Sequence, residues 1–487
     1  MFGSRALVLS TLLATLLAAV LVPPPAQAKP RPGLPPVNPY AGPVGSSTMH
    51  GDPASSDTTR YRGPGPGARA TTRTLLSVCP TILAGKDGYI QALCTEYLDR
   101  APTLNIIDPT TLRTVARKHL TAGSLLGGVY AYLDHRDRLV TVDGSGRVLF
   151  LEHRRAGSTG RTMTITEAAA IDLKPAFTRA CGAADCDAVT TVAPGYNGLV
   201  WFATAQGRAG YADPRTRKVA LRVLGRGEQV ANSISTSPAG MAVVTDHATY
   251  LVKANRNRAG RPGAVKQVWR RAYDRGPARK PGQLSHGSGA TPTFFGPRTG
   301  REYVAITDNA RPREHLIVYR AATGRTVCKT PILGRANSGT ENSAIALRNQ
   351  VYVASTYGYP YPATPDGAGE AVPAKADFVG GMQRLTLSRK GRKKTCRVRW
   401  TNTVASAAVP KLSVAENVIY TVERLAQGSR WDLVRIDPAR GRVLSRTTIG
   451  RGPTADTLQM VGTFLPDGTL LQGTVTGLVA VRPAPAG

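Results

Sequence analysis

The sequence predicts an all-β protein, an eight-bladed β-propeller of four-stranded antiparallel blades, with seven blades as the alternative count. Three observations predict it. The 487 residues include 51 Gly and 36 Pro, which break the chain too often for long helices to dominate. Short β-branched runs bounded by polar turn residues recur at 139–142, 199–203, 241–245, 303–307, 351–355 and 418–422. A turn phrase also recurs, as Ile107-Asp108-Pro109-Thr110, Ala212-Asp213-Pro214-Arg215, Ala322-Thr323-Gly324 and Ile436-Asp437-Pro438-Ala439-Arg440-Gly441. In it Asp caps through its side chain, Pro presets φ and Gly supplies a positive φ.

Counted by first strands, units begin near residues 79, 129, 188, 231, 290, 342, 411 and 458. Repeats of roughly 40–60 residues, each one supersecondary unit, are the mark of a propeller. The last unit shows three strands before Pro483, so a strand near residues 69–76 is expected to complete it and close the ring.

Upstream of the repeats, Arg5, the apolar stretch 6–22 and Ala26-Gln27-Ala28 form the three parts of a cleavable secretory leader, with cleavage expected after Ala28. The mature chain is expected outside the cytoplasm, without a membrane span and as a monomer. Its six cysteines then read as structural disulfides, with neighbours paired: Cys79 with Cys94, Cys181 with Cys186, Cys328 with Cys396. Residues 29–70 hold nine Pro and seven Gly with hardly any apolar run, which predicts a flexible spacer ahead of a propeller spanning 71–483.

Apolar side chains at 41% exclude a disordered chain, and 63 Lys and Arg against 31 Asp and Glu give a formal charge of +32. The densest basic runs, Lys253 to Lys280, Arg389 to Lys394 and Arg154-Arg155, fall in third-to-fourth connections on one face of the ring. A single-sign surface attracts anionic polymers of the cell wall, without sequence-specific recognition of nucleic acid, since no aromatic residues interleave the basic runs. An Arg-rich composition alone is the competing explanation, since 49 of the 63 are Arg.

The opposite face receives the inter-blade links and the second-to-third turns. Here blades four to six gather Asn232-Ser233, Asp246-His247, His286-Gly287-Ser288-Gly289, Asp308-Asn309, Glu341-Asn342-Ser343 and Tyr357-Gly358-Tyr359. Hard oxygen ligands of this kind suit Ca²⁺. Glu341, Asn342 and Asp308 are therefore the candidate metal ligands, His286 and His247 the candidate proton-transfer residues, and Asn232, Ser288, Asn309, Tyr357 and Tyr359 the candidate ligand-binding residues. Two functions follow: binding of a ligand at the axial mouth by a cell-envelope module, or metal-dependent hydrolysis of esters or lactones. Turn chemistry alone explains many of the same residues.

The turn phrase, within residues 79–482, resembles the blade signature Ala-x-Asp-x-x-Thr-Gly-x-x-x-Trp of pyrroloquinoline-quinone-type propellers. Cys328 stands in the Trp slot after Ala322-Thr323-Gly324, Leu221 in that after Asp213, and only Trp269 and Trp400 lie in fourth strands. That family's quinone enzymes carry a vicinal cysteine pair, and no two cysteines are adjacent here. The resemblance implies the architecture and not the quinone. The carboxylate and amide set is also similar to the metal centre of calcium-dependent lactonase propellers, without a motif match.

Overall fold

The structure, a computed structural model, describes residues 33–123, 129–156, 162–256, 262–335, 337–390 and 393–485. The leader and its cleavage site lie outside the described residues, as do Arg258, Arg261 and Arg392 of the basic runs. Eight sheets form a ring of blades whose first strands are Ser77–Ala84, Tyr132–Leu133, Val189–Pro194, Ser235–Ser237, Thr293–Phe295, Ile345–Leu347, Lys411–Ser413 and Thr463–Phe464. These starts lie close to the expected ones. The fold is an eight-bladed β-propeller.

The ring closes as the sequence predicts. Arg69–Thr74 is the outermost strand of blade eight, antiparallel to Gly477–Arg482 from Arg69↔Arg482 to Thr74↔Gly477. A strand that precedes blade one and the last strands of the chain thus share one sheet, which closes the ring. The turns behave as their composition dictates: Oδ1 of Asp108, Asp213 and Asp437 accepts the N–H two residues on, at 2.8–2.9 Å. Gly324 and Gly441 then take φ of +65° and +73°.

Blades dock through outer-strand side chains. Trp269 of blade four donates its indole N–H to Ala321 O of blade five at 2.8 Å, and a Cβ on Gly324 would lie 2.6 Å from the ring. Trp400 of blade six repeats this on Pro438 O and Gly441 of blade seven. The three disulfides pair neighbours in sequence as expected. Cys328, in the slot where the resembled family has Trp, bonds Cys396 and so links the fourth strands of blades five and six. Among the described residues no helix is long and apolar enough to cross a membrane.

The expectation of a flexible spacer over 29–70 needs correction from residue 33 on. Ser46, Ser47, Asp52, Ser55, Ser56, Asp57, Thr58 and Thr59 are all buried. They run through the axis and offer carbonyls in turn to the first strands. Ser46 O accepts from Ala84 N–H, Ser47 O from Leu133, Pro53 O from Thr236, Ala54 O from Phe294, Ser56 O from Ala346 and Asp57 O from Leu412. Thr58–Thr59 then adds to blade seven as a parallel strand.

The composition misleads for a physical reason. A spacer is recognised by its lack of apolar side chains, whereas this segment is held by backbone and small polar groups, which suit a narrow axis where strand edges need partners. Glycine serves close approach here: a Cβ on Gly51 would lie 2.2 Å from Thr58 O.

Charged groups pin the plug. Lys411 is buried and donates to Met49 O and Gly462 O, both at 2.7 Å, and burial lowers its pKa to about 8. Asp57 lies 2.7 Å from His50 Nδ1 and accepts from Ser343 Oγ at 2.5 Å. A protein beginning at Tyr61 loses six inner-strand hydrogen bonds of about 1 kcal/mol each. Its thermal midpoint should fall by many degrees relative to a protein beginning at Lys29. Equal midpoints would mean that the plug is not part of the folded core.

Candidate functional site

On the face of the inter-blade links, a cleft of about 360 Å³ lies between blades four and five. One wall is the link after blade four, including Arg275, Arg279, Ser285 and His286. The other is formed by Gln229, Asn232 and Asp246, with residues 365–370 of the long blade-six insertion across the edge. Two expected site residues, His286 and Asn232, therefore share one concave surface, and His247 joins them through Arg275.

Arg275 organises the cleft. Its guanidinium donates to His247 Nε2 at 2.9 Å, to His286 Nδ1 at 3.0 Å and to Asp246 Oδ2 at 3.0 Å. His286 Nε2 in turn donates to Gly276 O at 3.0 Å. Each histidine thus presents a ring nitrogen to the Arg275 guanidinium, and His247 Nδ1 also lies 2.9 Å from Asp246 Oδ1. Arg279 is likewise committed, to Gly369 O at 3.0 Å and Gln283 O at 2.6 Å, which ties the 365–370 loop to the link.

Asn232 is a structural hub as well as a lining residue. Its Oδ1 accepts from Tyr130 Oη at 2.8 Å and from Thr291 Oγ1 at 3.2 Å, and its amide donates to Gly289 O. Ser288 and Asn309 are buried, and Ser288 Oγ and Asn309 Oδ1 have no hydrogen-bond partner among the described residues. Asn309 Nδ2 holds the link by donating to Arg275 O at 2.7 Å and Ala278 O at 3.0 Å. Tyr357 is half-buried at the start of the insertion. Tyr359 is 3% exposed, packs against Tyr361 and Phe378 at ring distances of 4.8 and 5.1 Å, and donates its hydroxyl to Asp456.

The three expected metal ligands hold separate partners. Asp308 accepts from His315 Nδ1 at 2.9 Å and lies 3.2 Å from Lys329 Nζ. Asn342 Nδ2 donates to Gln459 Oε1 at 3.0 Å. Glu341 Oε1 accepts the N–H groups of Leu284 and of Ser285, the latter at 3.0 Å. Among the described residues no three His, Cys, Asp or Glu side chains are grouped as metal ligands. The glycine at 289 does permit close approach, since a Cβ there would lie 2.1 Å from Glu341 Oε2.

The basic runs are partly internal. Arg270 pairs with Glu228 at 2.7 Å, Arg271 donates to Gly324 O at 2.8 Å, and Lys280 is buried with Glu314 at 3.3 Å. Burial raises the Glu314 pKa. With Arg275 and Arg279, half of the ten basic residues between Lys253 and Lys280 are thus occupied in structure. Sequence reasoning missed Arg275, Arg279 and the 365–370 loop of the cleft; the available signal was their position, in the same link as His286 and in the same insertion as Tyr357.

No family model matches the chain. An uncharacterized protein of Archaeoglobus fulgidus is 24% identical over 311 residues, which are 58% of each chain. The alignment thus spans little more than half the length of that relative. Among solved structures, BamB from Moraxella catarrhalis aligns at 14% identity over 71% of this chain and 93% of its own, with a TM-score of 0.35. The WD40 domain of Toxoplasma gondii coronin aligns at 13% identity over 86% of this chain and 90% of its own, with a TM-score of 0.41.

Glu341 supplies a pH test of this face. Burial raises its pKa from 4.5 to about 7 against the opposing backbone N–H groups. A raised carboxyl keeps its proton in the fold while the unfolded chain has lost it, so this contribution is complete below pH 4.5 and lost as pH rises through 7. Glu341→Gln should match the parent near pH 4 and exceed it at pH 8 by on the order of 3 kcal/mol in chemical denaturation. A difference that does not change with pH would show that the carboxyl is not held in this way.

Proposed function

We propose that the protein is an exported binding module that holds a small polyhydroxylated ligand, a mono- or disaccharide, in the cleft between blades four and five. The leader sequence and the three disulfides support export. The observation that carries the ligand class is the occupation of the cleft's cations by partners within its wall. Arg275 is committed to Asp246 and two histidines, and Arg279 to two carbonyls.

What remains towards the opening is Ser285, the exposed Gln229, and the exposed carboxylates Asp366 and Glu370, which form no ion pair among the described residues. A hydroxyl, an amide and two carboxylates match a ligand rich in O–H donors. An anionic ligand would meet those carboxylates unscreened. Hydrolysis through Glu341, Asp308 and Asn342 has no comparable support, because each is engaged with a different partner.

Titration calorimetry with glucose, N-acetylglucosamine and cellobiose tests the reading. At least one should bind saturably, and Asp366→Asn with Glu370→Gln should weaken it about tenfold or more, as expected for losing hydrogen bonds to charged acceptors. Saturable binding that this double variant leaves unchanged, or no binding by any of the three, would overturn it.

A further inference from the structure

The opposite face carries a second, larger depression that the cleft does not explain. It is an open groove of about 640 Å³ between blades two and three. Its rim is formed by two first-to-second turns, at 134–138 and 197–199, and by the third-to-fourth turn at 213–217. Tyr40 of the N-terminal segment stands at the edge, with its ring edge-on to His135 at 5.9 Å and packed over Gly198.

The charge of this groove is one-sided. Asp134 is neutralised by Arg138, whose Nε and terminal nitrogen donate to Oδ2 at 2.8 and 2.6 Å. Asp213 caps its own turn, accepting from Arg215 N–H and Thr216 Oγ1, both at 2.9 Å. Arg136, Arg215 and Arg217 are exposed, line the groove, and form no ion pair among the described residues. Unlike those of Arg270, Arg271, Arg275 and Arg279, their side chains donate no hydrogen bond among the described residues.

We propose that this groove binds a linear phosphate-bearing polymer, with Arg136, Arg215 and Arg217 as its phosphate-binding residues. Its volume, about 640 Å³ against about 360 Å³ for the cleft, suits an extended chain better than a small molecule. Arg215 and Arg217 lie two residues apart on one turn, and both line the groove. A phosphate group has enough oxygens to serve two forks, whereas a carboxylate is satisfied by one. Nucleic acid is less well matched, because the exposed rings Tyr40 and His135 meet edge-on and give no succession of stacking surfaces. The site is on the other face from the saccharide cleft and stands or falls independently of it.

The test is binding of the mature protein to sodium polyphosphate, followed calorimetrically at 50 and 200 mM NaCl. Binding should weaken with salt, and the triple variant Arg136→Gln, Arg215→Gln, Arg217→Gln should bind at least about tenfold more weakly with a shallower salt dependence. A control triple variant of exposed arginines elsewhere, Arg113→Gln, Arg325→Gln, Arg397→Gln, removes the same charge and should stay within about threefold of the parent. Equal losses in both triples would reduce the effect to net charge and overturn the site. So would tighter binding of polygalacturonate, or tighter binding of a single-stranded oligonucleotide that Tyr40→Ala abolishes. Arg275→Gln should leave polyphosphate binding unchanged, which separates this site from the cleft.

Discussion

Everything in the ring is arranged around the hydrogen bonds between the N-terminal segment and the inner strands. In a propeller the first strand of each blade has one edge facing its own second strand and the other facing the axis, where no sheet neighbour exists. Eight such edges converge here, and residues 46–59 supply carbonyls to six of the eight blades. The same stretch of chain then leaves the axis and becomes the outer strand of blade eight at Arg69–Thr74. Axis and rim are therefore secured by adjoining pieces of one segment. The polar character of the plug follows from its place: neighbours are backbone amides, so Ser, Thr and Asp serve where apolar side chains would leave donors unpaired.

Arginine has a structural share in the rim that the formal charge conceals. Arg271 of blade four donates to the turn carbonyl of Gly324, Arg384 of blade six to that of Ala439, and Arg482 of blade eight to that of Pro109 on blade one. In blades four and six the arginine accompanies a docking Trp; between blades eight and one it does so without one. The guanidinium suits this task because it carries several donors in a fixed plane and never loses its charge. A large positive excess thus divides into residues that hold blades together and residues that face solvent without partners, and only the second class has a bearing on ligands.

The blades were legible because their signal is local. An Asp that caps a turn and a Gly with positive φ act within five residues, so the phrases at 108, 213, 324 and 437 could be counted without knowing the fold. The face-sorting rule also carried over: His286 and His247 share Arg275, and His286 and Asn232 line one cleft, because alternate turns of an up-and-down blade lie at opposite ends. What could not be read is the pairing of side chains around the axis. Asp308, Asn342 and Glu341 share a face by topology, but Asp308 meets His315 and Lys329, Asn342 meets Gln459 of a remote link, and Glu341 meets two backbone amides. The plug was invisible for a related reason: its partners are main-chain groups, which leave no residue pattern.

A plugged axis also decides where a ligand can sit. The channel that a ring of eight blades would otherwise offer is filled from the turn face by residues 46–59, and near its other mouth by the Tyr130–Asn232–Gly289 bonds. Two concavities lie off-axis, between blades four and five on one face and blades two and three on the other. They differ in how their charges are compensated. In the first, arginines are bound to histidine, carboxylate and carbonyl partners inside the wall, which makes them rigid positioning elements. In the second, Asp134 is paired with Arg138, Asp213 caps its own turn, and Arg136, Arg215 and Arg217 form no ion pair among the described residues. The same residue type therefore yields opposite binding character on the two faces, and the difference comes from which partner each arginine finds within its own blade.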